Sequence, residues 1–520
     1  MGNSQSSSKL NEPAVEKLLV QQLQALRTRD VLHQREVEHE YIQVESEKGI
    51  PRSFSTDPTL DIKTASEWEK ELLADPKNRL ALNALLSNNI RDIVSNKVST
   101  LSDTQTFNVK IPFEGSPVTN QRSSGRCWLF ATTNVLRVPI MKKYNLKEFE
   151  LSQAYLFFWD KMEKANWFLE QMIDTAGKDL DERILQELLA SPVGDGGQWD
   201  MASNLVEKYG LVPQKLYPDS YNAMNSSAMG SLITTKLRED GLALRALSNN
   251  SGSASVKKSS SIVLAKAKMM REIHCILTLM LGPPPKPDEK FTWEFYDSSD
   301  KYHKLNLTPL EFAKSMSSSS VVRSLGGADV SQMFSLVNDP RNKYMSLLTV
   351  SRLGNVVGGR PITYVNVDMS TMKKAAIAML KAGVPVFFGS DVGKFSNSQS
   401  GIMDPDLYDY GLAFNISLNL SKSQRLRVRE SAMTHAMVLT AVQVEKDEKT
   451  GEEKSVRWRV MNSWGENAGD KGYFVMTDRW MDEFVYQVVV EPGFVGKEIK
   501  EVLKTEPTVL PLWDPMGALA

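Results

Sequence analysis

The spacing of apolar and polar positions divides the chain into regions of different period. Within a charged stretch from 14 to 48, Val15, Leu19, Leu23 and Leu26 form a helical stripe that the Gly49-Ile50-Pro51 break closes. A globular pattern begins near residue 65, with a helix suggested by Leu80, Leu82, Leu85 and Leu86 and a short strand at Phe107-Asn108-Val109. Next, Trp128, Ala131, Val135 and Val138 step by 3, 4 and 3, one face of a helix that starts at Cys127. Pro139 predicts a kink or an end there, because its ring clashes with the carbonyl one turn back. Ile262, Ala265, Met269, Ile273, Ile276 and Met280 predict another long helix, stopped by Gly282 and the prolines after it, before a strand at Phe291–Tyr296. Serine-rich 248–261 reads as a surface loop, and Thr308-Pro309-Leu310-Glu311 carries the cap residue, first-turn proline and capping-box glutamate of a helix start.

From Ile362 the period shortens toward that of strands. Runs at Ile362–Val367, Val384–Phe388, Ala436–Val444, Val456–Val460 and Gly472–Met476 surround one alanine-rich helix, Met372–Ala382, closed by Gly383. A charged turn at Lys446–Lys454 separates two of them. Beyond Pro492, prolines at 507, 511 and 515 favour extended chain. The expected organisation is α+β: a polar and charged extension over 1–60, a helical region over 61–210, an inserted helical region over 211–360, a β-rich half over 361–495 and a tail over 496–520.

Composition removes several function classes. Lys plus Arg number 62 against 63 Asp plus Glu, so the chain as a whole is no polycation for nucleic acid. The run Ile273–Leu281 is far short of the ~20 apolar residues that cross a bilayer. Two cysteines cannot make a disulfide scaffold, and five histidines without a Cys/His cluster predict neither a metal site nor a cofactor. These features point to a reducing, cytoplasmic location, with a mitochondrial or membrane-associated fraction left open. Met1-Gly2-Asn3-Ser4-Gln5-Ser6 fits the N-myristoylation pattern, making Gly2 a lipidation candidate that would support peripheral membrane association.

Cys127 is placed where a thiolate would be useful. It follows a Gln-Arg-Ser-Ser-Gly turn and opens a helix, whose positive end lowers a thiol pKa, as would a neighbouring imidazolium. Cys275, inside an apolar helix face, reads instead as a small buried hydrophobe. Gln121, six residues before Cys127, could lend its amide to an oxyanion together with the Cys127 N–H. Of the histidines, only His435 opens an apolar strand, Ala436-Met437-Val438-Leu439, able to hold an imidazole rigidly. Asn462 could fix that ring's tautomer, with Trp464 shielding the bond from water. Gly196 and Gly197 allow the close backbone approach that an extended peptide needs, the alternative being a tight turn only.

Gln121-Arg122-Ser123-Ser124-Gly125-Arg126-Cys127-Trp128, His435-Ala436 and Asn462-Ser463-Trp464-Gly465 resemble the three signatures of papain-like cysteine proteases. Ser124 stands where secreted relatives carry a disulfide cysteine, and the interval from Cys127 to His435 is about twice the usual one, which suggests an intracellular branch with a large insertion. Leu151-Ser152-Gln153-Ala154-Tyr155-Leu156-Phe157-Phe158, Gly196-Gly197-Gln198-Trp199, Gly282-Pro283-Pro284-Pro285 and Trp513-Asp514-Pro515-Met516-Gly517-Ala518-Leu519-Ala520 resemble the bleomycin hydrolase branch, over about residues 60–520. The resemblance implies a papain-like two-lobed core, with a helical lobe and a β-barrel-like lobe, a helical hook insertion for oligomerisation and a C-terminal arm reaching the active site. It also implies a homohexamer with active sites on a central cavity, and an aminopeptidase that acts on peptides and on bleomycin-like amides.

Two other readings compete. One is a nucleic-acid-binding or scaffold protein on an inactive papain-like fold. It draws on Lys422, Arg425, Arg427 and Arg429, the last three alternating as on one face of a strand with Leu426 and Val428 turned inward, and would bind single-stranded nucleic acid weakly. The other is a papain-like endopeptidase, which the same catalytic set would serve. Val509, Leu510, Leu512, Trp513, Met516 and Leu519 make the tail too apolar for a solvated terminus, so it should pack along the protein. In the branch resembled, such an arm ends in the cleft with a carboxylate, here that of Ala520, facing the substrate's amino group.

Overall fold

The computed structural model describes residues 59–102, 104–250, 260–317, 332–446 and 451–520. Gly2, the stripe at 14–48, most of the serine-rich loop and part of the charged turn after Lys446 lie outside them. The chain forms two compact units, 1–88 and 89–520. In the first, the described helices Ile62–Ala74 and Pro76–Ser87 start at Asp61 and Asp75, whose carboxylates accept the N–H of Lys63 and Lys77. Leu80, Leu82 and Leu86 are exposed.

The second unit is built on one mixed sheet. Its strands are β1 (Val109–Lys110), β4 (Phe334–Val337), β5 (Ser346–Val350), β6 (Tyr364–Asn366), β7 (Val386–Ser390), β8 (Ser396–Asn397), β9 (Ile402–Met403), β10 (His435–Lys446), β11 (Glu453–Met461), β12 (Tyr473–Thr477), β13 (Val485–Val490) and β14 (Thr508–Leu510). β2 (Phe291–Tyr296) and β3 (Tyr302–Leu307) form a separate hairpin. The spatial order is β14-β5-β6-β4-β13-β7-β10-β11-β12-β9-β8, with β1 also on β10. Thus β4 and β5, drawn from the segment expected to be an insertion, sit in the same sheet as β6 and β13. β10 is central, antiparallel to β7 and β11, and buried continuously from His435 to Val442. Burial on both faces explains why Ala436–Val442 is apolar except for Thr440 instead of alternating.

The Cys127–Lys143 helix packs on β10 and is buried around its whole circumference from Cys127 to Met141. Of the kink or end expected at Pro139, the end does not occur, since the helix passes through the proline to Lys143. One lost hydrogen bond and a ring clash cost about 3 kcal/mol, which burial of several large side chains at about 1.5–3 kcal/mol each exceeds. Helices Gln153–Asp174, Trp199–Tyr209, Ser227–Asn250 and Ser260–Leu281 complete the helical side. The Thr308/Glu311 capping box is formed, with Glu311 N–H donating to Thr308 Oγ1 at 3.0 Å and Thr308 N–H to Glu311 Oε2 at 2.9 Å.

Three further expectations are corrected. Cys275 is exposed, because the buried face of its helix is Ile262, Ile273, Leu277 and Leu281. Lys422–Arg427 is a helix, not a strand, because Ser421 and Gln424 form a capping box; Leu426 is buried but Val428 is exposed. The tail beyond Pro492 includes a helix, Lys497–Val502, before the arm becomes extended and β14 joins β5 in parallel.

Candidate active site

The turn before Cys127 is held by its own polar side chains. Ser124 Oγ donates to Gln121 O at 2.6 Å, and the buried Arg126 guanidinium donates to Ser124 Oγ at 2.9 Å and to both Asp219 oxygens at 2.7 and 3.0 Å. A bidentate ion pair therefore braces the turn in which Ser124 stands where secreted relatives carry a disulfide cysteine. The nucleophile candidate begins the helix, with Arg126 as N-cap.

Folding brings Gln121, Cys127, His435, Asn462 and Trp464 together from three separate segments. The Cys127 sulfur meets the backbone of Ala436, the residue after His435. His435 Nε2 lies 2.9 Å from Asn462 Oδ1, which also accepts the Ser463 N–H at 2.8 Å. An oxygen taking a backbone N–H cannot be the amide nitrogen, so the Asn462 orientation is settled, Nε2 is the donor, and Nδ1 is left as an acceptor. Trp464 covers this pair, its ring 5.0 Å from the imidazole and edge-on to Phe474.

Gln121 is fixed from both ends. Its Oε1 accepts from Ser463 Oγ at 2.6 Å and its Nε2 donates to Ser124 O at 2.7 Å, while its backbone N–H donates to Ser463 O at 2.8 Å. An amide nitrogen has two hydrogens, so one remains for an oxyanion. Burial pushes the Cys127 thiol up to about 11, against backbone hydrogen bonds from Ala436 and Trp128. Burial likewise lowers His435 to about 4, opposed by the bond to Asn462. Burial thus favours the neutral form of both groups, and the imidazole keeps Nδ1 as its acceptor nitrogen.

Gly196 and Gly197 line the adjacent ledge, which the arm occupies. Gly197 N–H donates to Ala520 O at 2.9 Å, Gln198 Nε2 to Ala518 O at 2.6 Å and Tyr364 OH to Met516 O at 3.3 Å. Farther back, Asp514 pairs with Arg341 at 2.7 Å and Arg183 stacks over Trp513 at 4.3 Å. A Cβ on Gly196 would meet Leu519 O at 2.8 Å, and one on Gly197 would meet Trp128 Cε2 at 2.4 Å. Neither glycine has a positive φ, and each accommodates a close approach, of the arm at 196 and of the Trp128 ring at 197.

Sequence reasoning missed Asp195, Ser463, Lys161 and Lys164. Asp195 accepts the Gly125 N–H at 3.0 Å through its carboxylate and the Trp128 indole N–H at 2.8 Å through its carbonyl, joining the ledge to the Cys127 turn. Asp195 also lines a cavity of about 410 Å³ together with Ser226, Ser227, Ser231 and Thr234. Its only sequence signal was adjacency to Gly196-Gly197. Among the described residues, no group of three or more His, Cys, Asp or Glu could hold a metal.

Comparison with known proteins agrees with this architecture. The family model described as "Peptidase C1-like family" matches residues 59–517. Bleomycin hydrolase of Mus musculus is 45% identical over 467 residues, 89% of this chain and 99% of that protein. Cysteine proteinase 1, mitochondrial, of Saccharomyces cerevisiae is 44% identical over 469 residues, 89% of this chain and 93% of that protein. The crystal structure of PepW from Lactobacillus rhamnosis HN001 superimposes with a TM-score of 0.82 at 42% identity, covering 89% of this chain and all of that one. The chain belongs to the peptidase C1-like family and, within it, to the bleomycin-hydrolase branch. It is a cysteine-type peptidase with the α+β, papain-like two-lobed fold, and its substrates are peptides.

Proposed function

We propose that this peptidase is an aminopeptidase, with Cys127 as nucleophile, His435 as base and then acid, Asn462 orienting the imidazole and Gln121 stabilising the oxyanion. As the sulfur attacks the scissile carbonyl, His435 Nδ1 takes the thiol proton and the carbonyl oxygen turns toward Gln121 Nε2 and the Cys127 N–H. The imidazolium then protonates the leaving amine. Water, deprotonated by the same nitrogen, releases the acyl group and restores the thiol.

The observation that carries the aminopeptidase reading is the hydrogen bond from Gly197 N–H to Ala520 O. The arm takes a cleft donor that an extended substrate would otherwise use, so chain on that side of the scissile bond is excluded. A carboxylate on Ala520 would in addition attract an α-ammonium group. The test is deletion of Met516 to Ala520, assayed on fluorogenic amides with free and with acetylated amino groups. Acetylated substrates should become cleavable while Cys127 still reacts. A truncated enzyme that keeps its demand for a free amino group would remove the arm from specificity, and an intact enzyme that cleaves internal bonds freely would be an endopeptidase.

For location we infer cytoplasm together with mitochondria, the second because the yeast relative is named mitochondrial. No helix among the described residues is long and apolar enough to cross a membrane; we infer peripheral association through acylation of Gly2, which intact mass spectrometry tests. We also infer a homohexamer, as the resemblance implies. Exposed Leu232, Leu242, Val263, Leu264 and Leu279 supply apolar surface for it, and mass in solution tests it. In the Lys422 to Arg429 run, Arg427 and Arg429 are exposed, while the other two cations are engaged within the protein. Lys422 donates to Asp482 O and Val485 O, Arg425 to Glu483, and Arg429 to Trp513 O.

A further inference from the structure

We propose that Lys164 is a positioning residue that holds the Gly196–Gly197 peptide in the orientation that docks the arm, with Lys161 bracing the segment before it, so that selectivity for free amino termini depends on a buried ammonium group behind the cleft. This rests on the reading of the arm given above. The two lysines are three residues apart on the Gln153–Asp174 helix and so share a face. Both are buried, which lysine tolerates only when its donors are paired.

The segment they face, 193–196, has no regular structure, so its carbonyls need partners from elsewhere. Lys161 Nζ donates to Val193 O and Asp195 Oδ1, each at 2.6 Å. Lys164 Nζ donates to Gly194 O at 2.9 Å and Gly196 O at 2.6 Å and pairs with Asp160 at 2.6 Å. Gly196 O and Gly197 N belong to one planar peptide group. Lys164 holds its oxygen and Ala520 accepts from its nitrogen, so the lysine fixes the plane and, by polarising the carbonyl, strengthens the N–H as a donor. Lys161 anchors Asp195, whose other contacts reach Gly125 and Trp128. Arm, ledge and nucleophile turn thereby share one register.

The experiment uses the full chain and compares wild type with Lys164→Met, Lys164→Arg and Asp160→Asn/Lys164→Met, the last removing both charges together. Its readouts are hydrogen exchange at the Gly197 amide, the ratio of kcat/KM for free over acetylated aminoacyl amides, and the alkylation rate of Cys127. In Lys164→Met and the double variant, exchange should speed up and the ratio should fall, each about ten- to a hundredfold, the span of a lost charged hydrogen bond. The change should appear in KM, with kcat and alkylation little altered, and Lys164→Arg should restore most of it. If Lys164→Met fails to fold because Asp160 is left unpaired, the double variant carries the test. Wild-type exchange and ratio in a folded double variant overturn the proposal, as does a fall of ratio, kcat and alkylation in step. If wild type itself does not discriminate, the aminopeptidase reading fails while exchange at Gly197 still judges the clamp.

Discussion

Replacing Gly196 and Gly197 by alanine, one at a time, should separate arm docking from core packing. The added methyl at 196 meets the arm first, 2.8 Å from Leu519 O and 2.9 Å from Ala520 O, where ordinary contact begins at 3.4 Å. The arm must withdraw by about 0.6 Å, which carries the 2.9 Å bond from Gly197 N–H to Ala520 O to the edge of hydrogen-bonding range. Loss of one such bond is about 0.5–1.5 kcal/mol, or a two- to tenfold fall in arm occupancy. At 197 the methyl points the other way, 2.4 to 2.6 Å from three carbons of the Trp128 indole. That ring is fully buried and tied to Asp195 O, so it cannot yield. Overpacking of this kind costs about 1–3 kcal/mol. Gly196→Ala should therefore keep the wild-type melting temperature while its preference for free over acetylated aminoacyl amides falls two- to tenfold, and Gly197→Ala should melt lower. Equal melting of the two variants, or an unchanged preference in Gly196→Ala, would refute the reasoning.

Cys127→Ala should abolish turnover with the fold intact, whereas Cys275, being exposed, should alkylate first without loss of activity; inactivation that tracks Cys275 would contradict the assignment. Gln121→Ala should lower kcat by about 10²–10³, the usual effect of losing an oxyanion donor, with KM largely kept. The depressed His435 value implies a pH effect on stability: between its unfolded value near 6.5 and about 4 the unfolded chain takes a proton that the folded one refuses. The stability it contributes is complete above pH 6.5 and should fall by an amount on the order of 3 kcal/mol as pH drops to 4. Urea titrations at pH 7 and 4.5 should show a smaller loss for His435→Gln than for wild type.

Much of the site was legible in the chain because its chemistry sits in contiguous signals. A cysteine opening an apolar helix, a histidine opening an apolar strand, and asparagine before Ser-Trp-Gly are each local statements, as is the capping box at Thr308. What failed was what depends on burial. The helix does not end at Pro139 because the core surrounds it, and Cys275 is exposed because its helix turns another face inward. The cationic run forms a helix, its capping box outweighing an apparent alternation that covered only a few residues. Sequence order likewise could not place β4 and β5, since register and neighbour choice in a sheet come from packing between segments far apart in the chain. Only the tertiary structure set Lys164, Gly196 O, Gly197 N and Ala520 O in line. Those contacts join residues with no periodic relation to one another, and their geometry depends on closing the long loops between helix, ledge and arm.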